Sequence, residues 1–312
     1  MNYREGEFFL KKGLVVQRVI ARDGSGVVYC VYSERDQTKY SMKKFPLANF
    51  SDKDLDHLAS INNEHIVRIF QHYSFEGNVY ILTEYCPSNL EKFIKSKEEM
   101  SNDLLRKYIN DVVLAVKTCH DNQISIGDFT LSNFMIDMTG KIKINIIGLR
   151  MIEQYQSETA PPAFQSMNYF LPPEVLESNN FNPLAADMWS LGCIIYFMAT
   201  KTLPFNSKDM KFLKEQIKSA EYNNSIIMDN NLKDVISRCL KFDPASRFSI
   251  NNLLKMRYFN SYEGKLNTKA YRIKADWRKS VLVFRRSTTI NERKNSQIDT
   301  PMTPLRPLIS GF

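Results

Sequence analysis

The stretch Asp187-Met188-Trp189-Ser190-Leu191-Gly192 opens a strongly apolar helical pattern. Apolar residues recur along this pattern with the period of about 3.6 residues that is typical of an α-helix. They are Met188, Leu191, Ile194, Ile195 and Met198. Its longest apolar stretch, residues 191–199, is far shorter than the roughly 20 residues that cross a bilayer. We therefore predict a helix of a soluble, globular domain.

The residues before this helix have a different pattern. Short β-branched runs predict the strands of a small antiparallel sheet, with one helical stretch at 51–61 between them. The runs are 13–16, 27–31, 40–43, 66–70 and 79–82. After Pro87 the apolar spacing becomes helical. A β-rich part followed by a helical part is typical of a two-lobed α+β fold, and 312 residues suffice for two lobes.

The net charge of +8 is concentrated at one end of the chain. Residues 265–312 hold 11 Lys/Arg and 3 Asp/Glu, so the rest of the chain is neutral. We therefore do not expect the folded part to bind nucleic acid. The Ser-, Thr- and Pro-rich residues 261–312 predict a basic, largely disordered tail. An alternative, disfavoured against a solvated charge run, is that the tail contacts an anionic membrane.

The cysteines and the N-terminus bear on localisation. The five cysteines lack the paired spacing of a zinc or redox site, which suits a reducing compartment. The first seven residues lack the apolar core of a secretory signal. We expect a cytoplasmic or nuclear protein.

Five motifs occur in order along the chain. They are Tyr40-Ser41-Met42-Lys43, Leu82-Thr83-Glu84-Tyr85-Cys86, Pro172-Pro173-Glu174, Asp187-Met188-Trp189-Ser190-Leu191-Gly192 and Asp243-Pro244-Ala245-Ser246-Arg247. In this order and spacing they resemble the eukaryotic protein kinase family. The resemblance implies an N-terminal extension at 1–12 and a kinase-like domain at 13–260. Within that domain it implies an N-lobe at 13–83, a hinge at 84–88 and a C-lobe at 89–260. Three stretches look most like NIMA-related Ser/Thr kinases: Glu64-His65-Ile66-Val67, Met198-Ala199-Thr200-Lys201-Thr202-Leu203-Pro204-Phe205 and the segment that continues to Tyr222.

The resemblance also assigns residues to a nucleotide site. The implied nucleotide-binding residues are Gly26, Val28, Ser41, Lys43, Glu84, Cys86 and Met135. Val28, Ser41 and Met135 would enclose the base, or else be ordinary core between the lobes. Lys43 would hold the phosphates and pair with Asp54, which is one methylene shorter than the usual glutamate; a solvated Asp54 is the alternative. The implied structural residues are Asp54, Glu174, Asp187 and Arg247.

Several positions depart from the family pattern. Ile146, in Ile146-Ile147-Gly148, stands where the family places its magnesium-binding aspartate, unless the register shifts by one to Asn145. A hydrocarbon side chain cannot bind a hard cation that requires oxygen ligands. Asp128 and Asn133 are retained, either as catalytic residues with Asn133 as a metal ligand, or as braces of a tight loop.

Further departures lie around that loop. Thr130 replaces the family's lysine, Met167 replaces the threonine that contacts it, and Gly127 replaces an arginine. Asp23 replaces a glycine of the family's phosphate-binding loop, and an ordinary hairpin turn at Asp23-Gly24 is the favoured alternative for this segment. We interpret Ile126 and Ile147 as core residues. The pattern favours a pseudokinase, with ATP as an expected ligand and magnesium held weakly or not at all. The alternative is a weakly active Ser/Thr kinase. A pseudokinase would act through protein partners, an active kinase among them.

Overall fold

The structure is a computed structural model. It describes residues 2–23, 26–47, 52–96, 99–127, 130–147, 150–151, 169–176, 181–207 and 209–260. Three predictions lie outside the described residues: the roles of Asp128 and Met167, and the tail at 261–312. The side chains of Asp23 and Asp54 also lie outside the description.

The first lobe is built on a five-stranded antiparallel sheet with strand order β1-β2-β3-β5-β4. Its strands are β1 (Leu14–Asp23), β2 (Gly26–Ser33), β3 (Thr38–Pro46), β4 (Ile69–Phe75) and β5 (Asn78–Glu84). Helix α2 (Asp52–Ser60) lies between β3 and β4 in the chain and packs against β4. The predicted run at 66–70 differs, because Ile66 forms a bridge to Ile144 in the second lobe before β4 begins.

A helix that the sequence analysis did not predict covers the outer face of this sheet. Helix α1 (Tyr3–Leu10) begins with a capping box in which Asn2 and Glu5 exchange hydrogen bonds. Phe9 is fully buried in an apolar cluster that includes residues of β2, β3 and β5. Beside it the buried Glu5 carboxylate accepts hydrogen bonds from Lys44 (2.5 Å) and Tyr80 (2.7 Å). Burial alone would raise the pKa of Glu5, yet these bonds leave it lowered.

The second lobe is mainly helical, so the structure has the predicted two-lobed kinase-like fold. Its helices are α3 (Leu90–Ser96), α4 (Asn102–Asp121), α5 (Pro183–Thr200), α6 (Met210–Ser219), α7 (Asn230–Cys239), α8 (Ile250–Leu254) and α9 (Arg257–Asn260). Two small sheets lie in this lobe. One joins β6 (Ser88–Asn89), β8 (Phe134–Ile136) and β9 (Ile142–Ile144), and the other joins β7 (Ile124–Ser125) to β10 (Arg150–Met151).

Helix α5 is the centre of this lobe and contains the Asp187–Gly192 motif. Asn182 caps its first turn, Pro183 occupies the first helical position, and Lys201 ends it in the left-handed region at φ 58°. By length and composition α5 is also apolar enough to span a membrane. However, 67% of that stretch is buried inside the domain, as expected for a core helix.

Close packing of α5 against α7 makes Gly192 a sensitive position. A β-carbon on Gly192 would lie 2.6 Å from Cβ of Cys239, closer than real carbon contacts. We expect Gly192→Ala to destabilise the domain by about 1–3 kcal/mol, as over-packing generally does. Gly6→Ala is the control, because the space around Gly6 in α1 is open. A lower melting temperature for both variants, or for neither, would contradict this account of the interface.

Candidate functional site

The sheet register brings three of the predicted nucleotide-binding residues to one face. Val28 pairs with Lys43, and Ser41 pairs with Thr83. Directly paired residues project to the same side of a sheet, here the side opposite α1. The third residue predicted to enclose the base, Met135, lies on β8 in the second lobe. Val28, Ser41 and Met135 are each only partly buried, so none is sealed in a core.

Gly26 and Lys43, two of the predicted nucleotide-binding residues, each make a close contact within the first lobe. A β-carbon on Gly26 would overlap the carbonyl oxygen of Lys44, so packing of β2 on β3 requires a glycine at this position. The Lys43 ammonium lies 4.7 Å from the centroid of the buried Phe45 ring, within cation–π range. The predicted pairing of Lys43 with Asp54 stays a prediction, since the Asp54 side chain is not described.

The hinge glutamate is tied to the second lobe. Both oxygens of Glu84 accept hydrogen bonds from the Lys143 ammonium, at 2.7 and 2.8 Å. The backbone of Glu84 also pairs with Arg68. Two residues on, Cys86 is buried, and burial raises the pKa of its thiol well above the ordinary range. Glu84 is therefore held by an ion pair to the second lobe, and the thiol two residues on is buried.

A set of contacts that joins the two lobes is named the inter-lobe clamp. Its residues in the second lobe are Lys141, which precedes β9, and Lys143 and Ile144 of β9. Their partners are Glu64, His65, Val67 and Glu84. Lys141 forms an ion pair with Glu64, whose pKa is lowered by that hydrogen bond. The backbone of Ile144 accepts from Val67 (2.9 Å) and donates to His65 (2.8 Å). The strand that leads into Ile146 thus fastens the two lobes together, a connection that the sequence analysis missed.

Asp187 holds the loop that precedes Asp128. Its carboxylate is 1% exposed and accepts hydrogen bonds from the backbone N–H groups of Ile126 (2.8 Å) and Gly127 (2.9 Å). Ser125 donates its hydroxyl to the same carboxylate, and His120 lies 3.1 Å away. Gly127 has a φ of +67°, in the left-handed region that glycine adopts without strain.

The retained asparagine is engaged within its own loop. The side-chain oxygen of Asn133 accepts hydrogen bonds from the Thr130 backbone (2.9 Å) and the Thr130 hydroxyl (2.7 Å). This is the loop-bracing arrangement predicted as the alternative to metal binding. The side-chain oxygen of Asn145, the other register for the metal position, accepts from the Ile147 backbone at 3.1 Å.

The isoleucines at the altered motifs are part of the core. Ile146 is 0% exposed, Ile147 is 7% exposed and Ile126 is 3% exposed. In the described residues, no group of three or more His, Cys, Asp or Glu side chains is placed to hold a metal ion. Among the residues described here, Ile146 supplies no oxygen ligand and the amide oxygens of Asn133 and Asn145 already accept hydrogen bonds from the protein, so this set does not fit magnesium, which needs several oxygen ligands.

The Glu174–Arg247 pair joins the segment before α5 to the end of the lobe. Two parallel hydrogen bonds of 2.6 and 2.7 Å connect the guanidinium to the carboxylate. The other Arg247 N–H groups donate to the backbone carbonyls of Lys241, Ala185 and Phe242. The Arg247 side chain is 1% exposed and lies over the Trp189 ring at 5.1 Å.

Together these features define a protein-kinase type of fold. The family model described as the protein kinase domain matches residues 14–259. The chain belongs to the protein kinase family, whose domain implies ATP binding, typically with magnesium.

The chain is also similar to several curated Ser/Thr kinases. It is 27% identical to testis-specific serine/threonine-protein kinase 2 of Mus musculus over 259 residues, covering 78% of this chain and 72% of that protein. It is 25% identical to CBL-interacting protein kinase 31 of Oryza sativa over 223 residues, 71% of this chain and 50% of that one. It is 28% identical to the polo kinase of Drosophila melanogaster over 200 residues, covering 64% of this chain and 34% of that protein. The chain thus spans only a third to a half of two of these three relatives.

Proposed function

We propose that this protein is a pseudokinase: a kinase-fold regulatory or scaffolding module that does not transfer phosphate by the family's magnesium-dependent route. The observation that carries the proposal is Ile146, a fully buried hydrocarbon at the position of the metal-binding aspartate. Relative to the family's pattern, Ile146, Ile147 and Ile126 keep buried apolar side chains, while the carboxylate that binds the metal is absent from position 146.

The expected loss of activity is large. In phosphoryl transfer the protein contributes mainly position and charge, and the metal neutralises charge on the phosphates. A metal ion contributes several kcal/mol to such a transition state. Since about 1.4 kcal/mol corresponds to a factor of ten in rate, losing the main ligand alone lowers the rate by roughly a thousandfold.

The second candidate function is a weakly active Ser/Thr kinase. Lys43 on the inner face of β3 favours it, because this lysine keeps the family's position. Asp128 and Asn133 are also retained in the sequence. The commitment of the Asn133 oxygen to Thr130 weighs against this candidate. Within either candidate we propose a NIMA-related ancestry from residues 64–67 and from the stretch that runs from Met198 to Tyr222.

We propose that the module acts in the cytoplasm or nucleus by binding protein partners, an active kinase among them. The inter-lobe clamp supports this role, because it fastens the lobes through ion pairs and backbone hydrogen bonds of the protein itself. A recognition surface that spans both lobes would then keep one shape. Binding of the basic tail to a membrane remains the less favoured alternative.

A phosphotransfer assay tests the proposal. We expect the purified protein to transfer no phosphate from ATP with magnesium above an Asp128→Ala control. Turnover that Asp128→Ala abolishes would establish the weakly active kinase instead. If Asn145 is the metal ligand, Asn145→Ala removes that turnover whereas Ile146→Ala does not.

A further inference from the structure

We propose that this protein associates with a second copy of itself through the first lobe, in a two-fold contact that pairs Arg68 of each copy with Asp36 of the other. The proposal goes beyond the proposed function, because it does not depend on whether the protein transfers phosphate. It rests on four contiguous side chains, which we name the aromatic row: Asp36, Tyr40, Phe70 and Arg68.

The members of the aromatic row contact one another in the order named. The Tyr40 hydroxyl donates to Asp36 Oδ2 at 3.2 Å, and the Tyr40 and Phe70 rings meet edge to face with their centroids 5.1 Å apart. The Arg68 guanidinium lies 5.2 Å from the centroid of the Phe70 ring, within cation–π range. The row therefore has a carboxylate at one end, two aromatic rings in the middle and a guanidinium at the other end.

The aromatic row remains accessible although α1 packs on the same face of the sheet. Tyr40 packs against the apolar cluster that contains Phe9 of α1, and it is partly buried. Phe70 is 44% exposed, and Arg68 and Asp36 are exposed. A single exposed apolar residue is ordinary on a protein surface. Tyrosine, phenylalanine and arginine in one patch, however, are residue types that are enriched at protein interfaces.

The backbone that carries Arg68 is fixed before any partner binds. Arg68 donates its backbone N–H to the Glu84 carboxylate at 3.2 Å, and its carbonyl accepts from the Glu84 N–H at 3.0 Å. Glu84 is itself paired with Lys143 of the second lobe. A fixed backbone lowers the entropy that association costs, so this end of the aromatic row is preorganised for a contact.

Both charged ends of the aromatic row can take a further partner. Within the described part of the chain, the Arg68 guanidinium forms no ion pair. The side-chain hydrogen bonds that reach Asp36, from Ser33 and Tyr40, both end on Oδ2. Oδ1 of Asp36 is therefore left to accept from a guanidinium, a group that forms strong charge-assisted hydrogen bonds with carboxylates.

A second copy of the chain fits the aromatic row because the row is self-complementary in charge. In a two-fold contact, residue i of one copy meets residue j of the other, and j meets i. Two antiparallel rows bring each Arg68 to Asp36 of the other copy and place the four aromatic rings between the two ion pairs. Four side chains from each copy form a small contact, so we expect a dissociation constant on the order of tens of micromolar.

Sedimentation velocity of the full chain, at concentrations on both sides of that value, tests the proposal. We expect a monomer–dimer equilibrium that weakens as the salt concentration rises. Arg68→Asp and Asp36→Arg each place like charges opposite each other at both pairs. Each is expected to weaken association by about tenfold for each pair, or about a hundredfold in all. Lys211→Asp is the control, because it makes the same charge change at an exposed residue of α6 in the second lobe.

A mixture of the two single variants separates a lost contact from a damaged fold. A heterodimer of the Arg68→Asp and Asp36→Arg chains has opposite charges at both pairs, so the mixture is expected to associate as the wild type does. Damage to the fold would not be repaired by mixing. If the melting curve shows that Asp36→Arg does not fold, Asp36→Asn replaces it, because the amide oxygen still accepts from Ser33 and Tyr40. Asp36→Asn is expected to weaken association by about tenfold.

Three results would each overturn the proposal. They are a wild-type protein that stays monomeric at about ten times the expected dissociation constant, an Arg68→Asp variant that dimerises as the wild type does, and a mixture of folded variants that stays monomeric. A monomeric wild type would assign the aromatic row to a different partner or to none. It would leave the pseudokinase proposal in place, because that proposal rests on Ile146 and is tested by phosphate transfer.

Discussion

Arg247→Ala is expected to lower the melting temperature of this protein by about 10 °C. Removing one partner of a buried ion pair costs about 3–5 kcal/mol, because the other charge is left without compensation. In a domain of this size each kcal/mol lowers the melting temperature by about 2–4 °C. The Arg247 guanidinium is almost fully buried, and it bonds to Glu174 and to three backbone carbonyls.

A second arginine provides the control. Arg4 lies 3.8 Å from Glu76, and its side chain is 80% exposed. Exposed ion pairs of this kind contribute about 0–1 kcal/mol, so Arg4→Ala should change the melting temperature little. Thermal unfolding of both variants and the wild type checks the comparison. An unchanged melting curve for Arg247→Ala would contradict the role of this arginine in the second lobe.

Local sequence patterns were sufficient to predict most of the fold. The β-branched runs predict β2, β3 and β5 because alternating side chains face the core and the solvent in a sheet. Helix α1 was missed, although Asn2 followed by Glu5 three residues later is a readable capping signal. The run at 66–70 was read as one strand because sequence alone does not show that Ile66 pairs with Ile144 across the lobes.

The contacts of the candidate site are harder to predict from the sequence than the secondary structure is. Asp187 shows no local sign that it accepts backbone hydrogen bonds, since Ile126 and Gly127 are about 60 residues earlier in the chain. Only the family resemblance selected Asp187. The clamp was missed for the same reason: Lys141 and Glu64 meet only through the fold. By contrast, the bond between Thr130 and Asn133 is local and follows from their spacing of three residues.

Burial of Ile147 provides a test that separates shape from catalysis. Its side chain is 7% exposed, in the same short segment as the fully buried Ile146. A carboxylate at position 147 would be a buried charge with no designed partner, which costs several kcal/mol or forces the group to become neutral. Asp128→Asn, in contrast, removes the family's catalytic base and keeps the size of the side chain.

In cells that lack this protein, we expect Asp128→Asn to restore function and Ile147→Asp to fail. A module that works by shape needs the core around Ile147 but not the carboxylate of Asp128. Ile147→Leu is the matched control and should also restore function, because it keeps an apolar side chain of the same size. Complementation is measured at equal protein levels. Failure of Asp128→Asn would indicate an enzyme, and rescue by Ile147→Asp would contradict both the module and the enzyme.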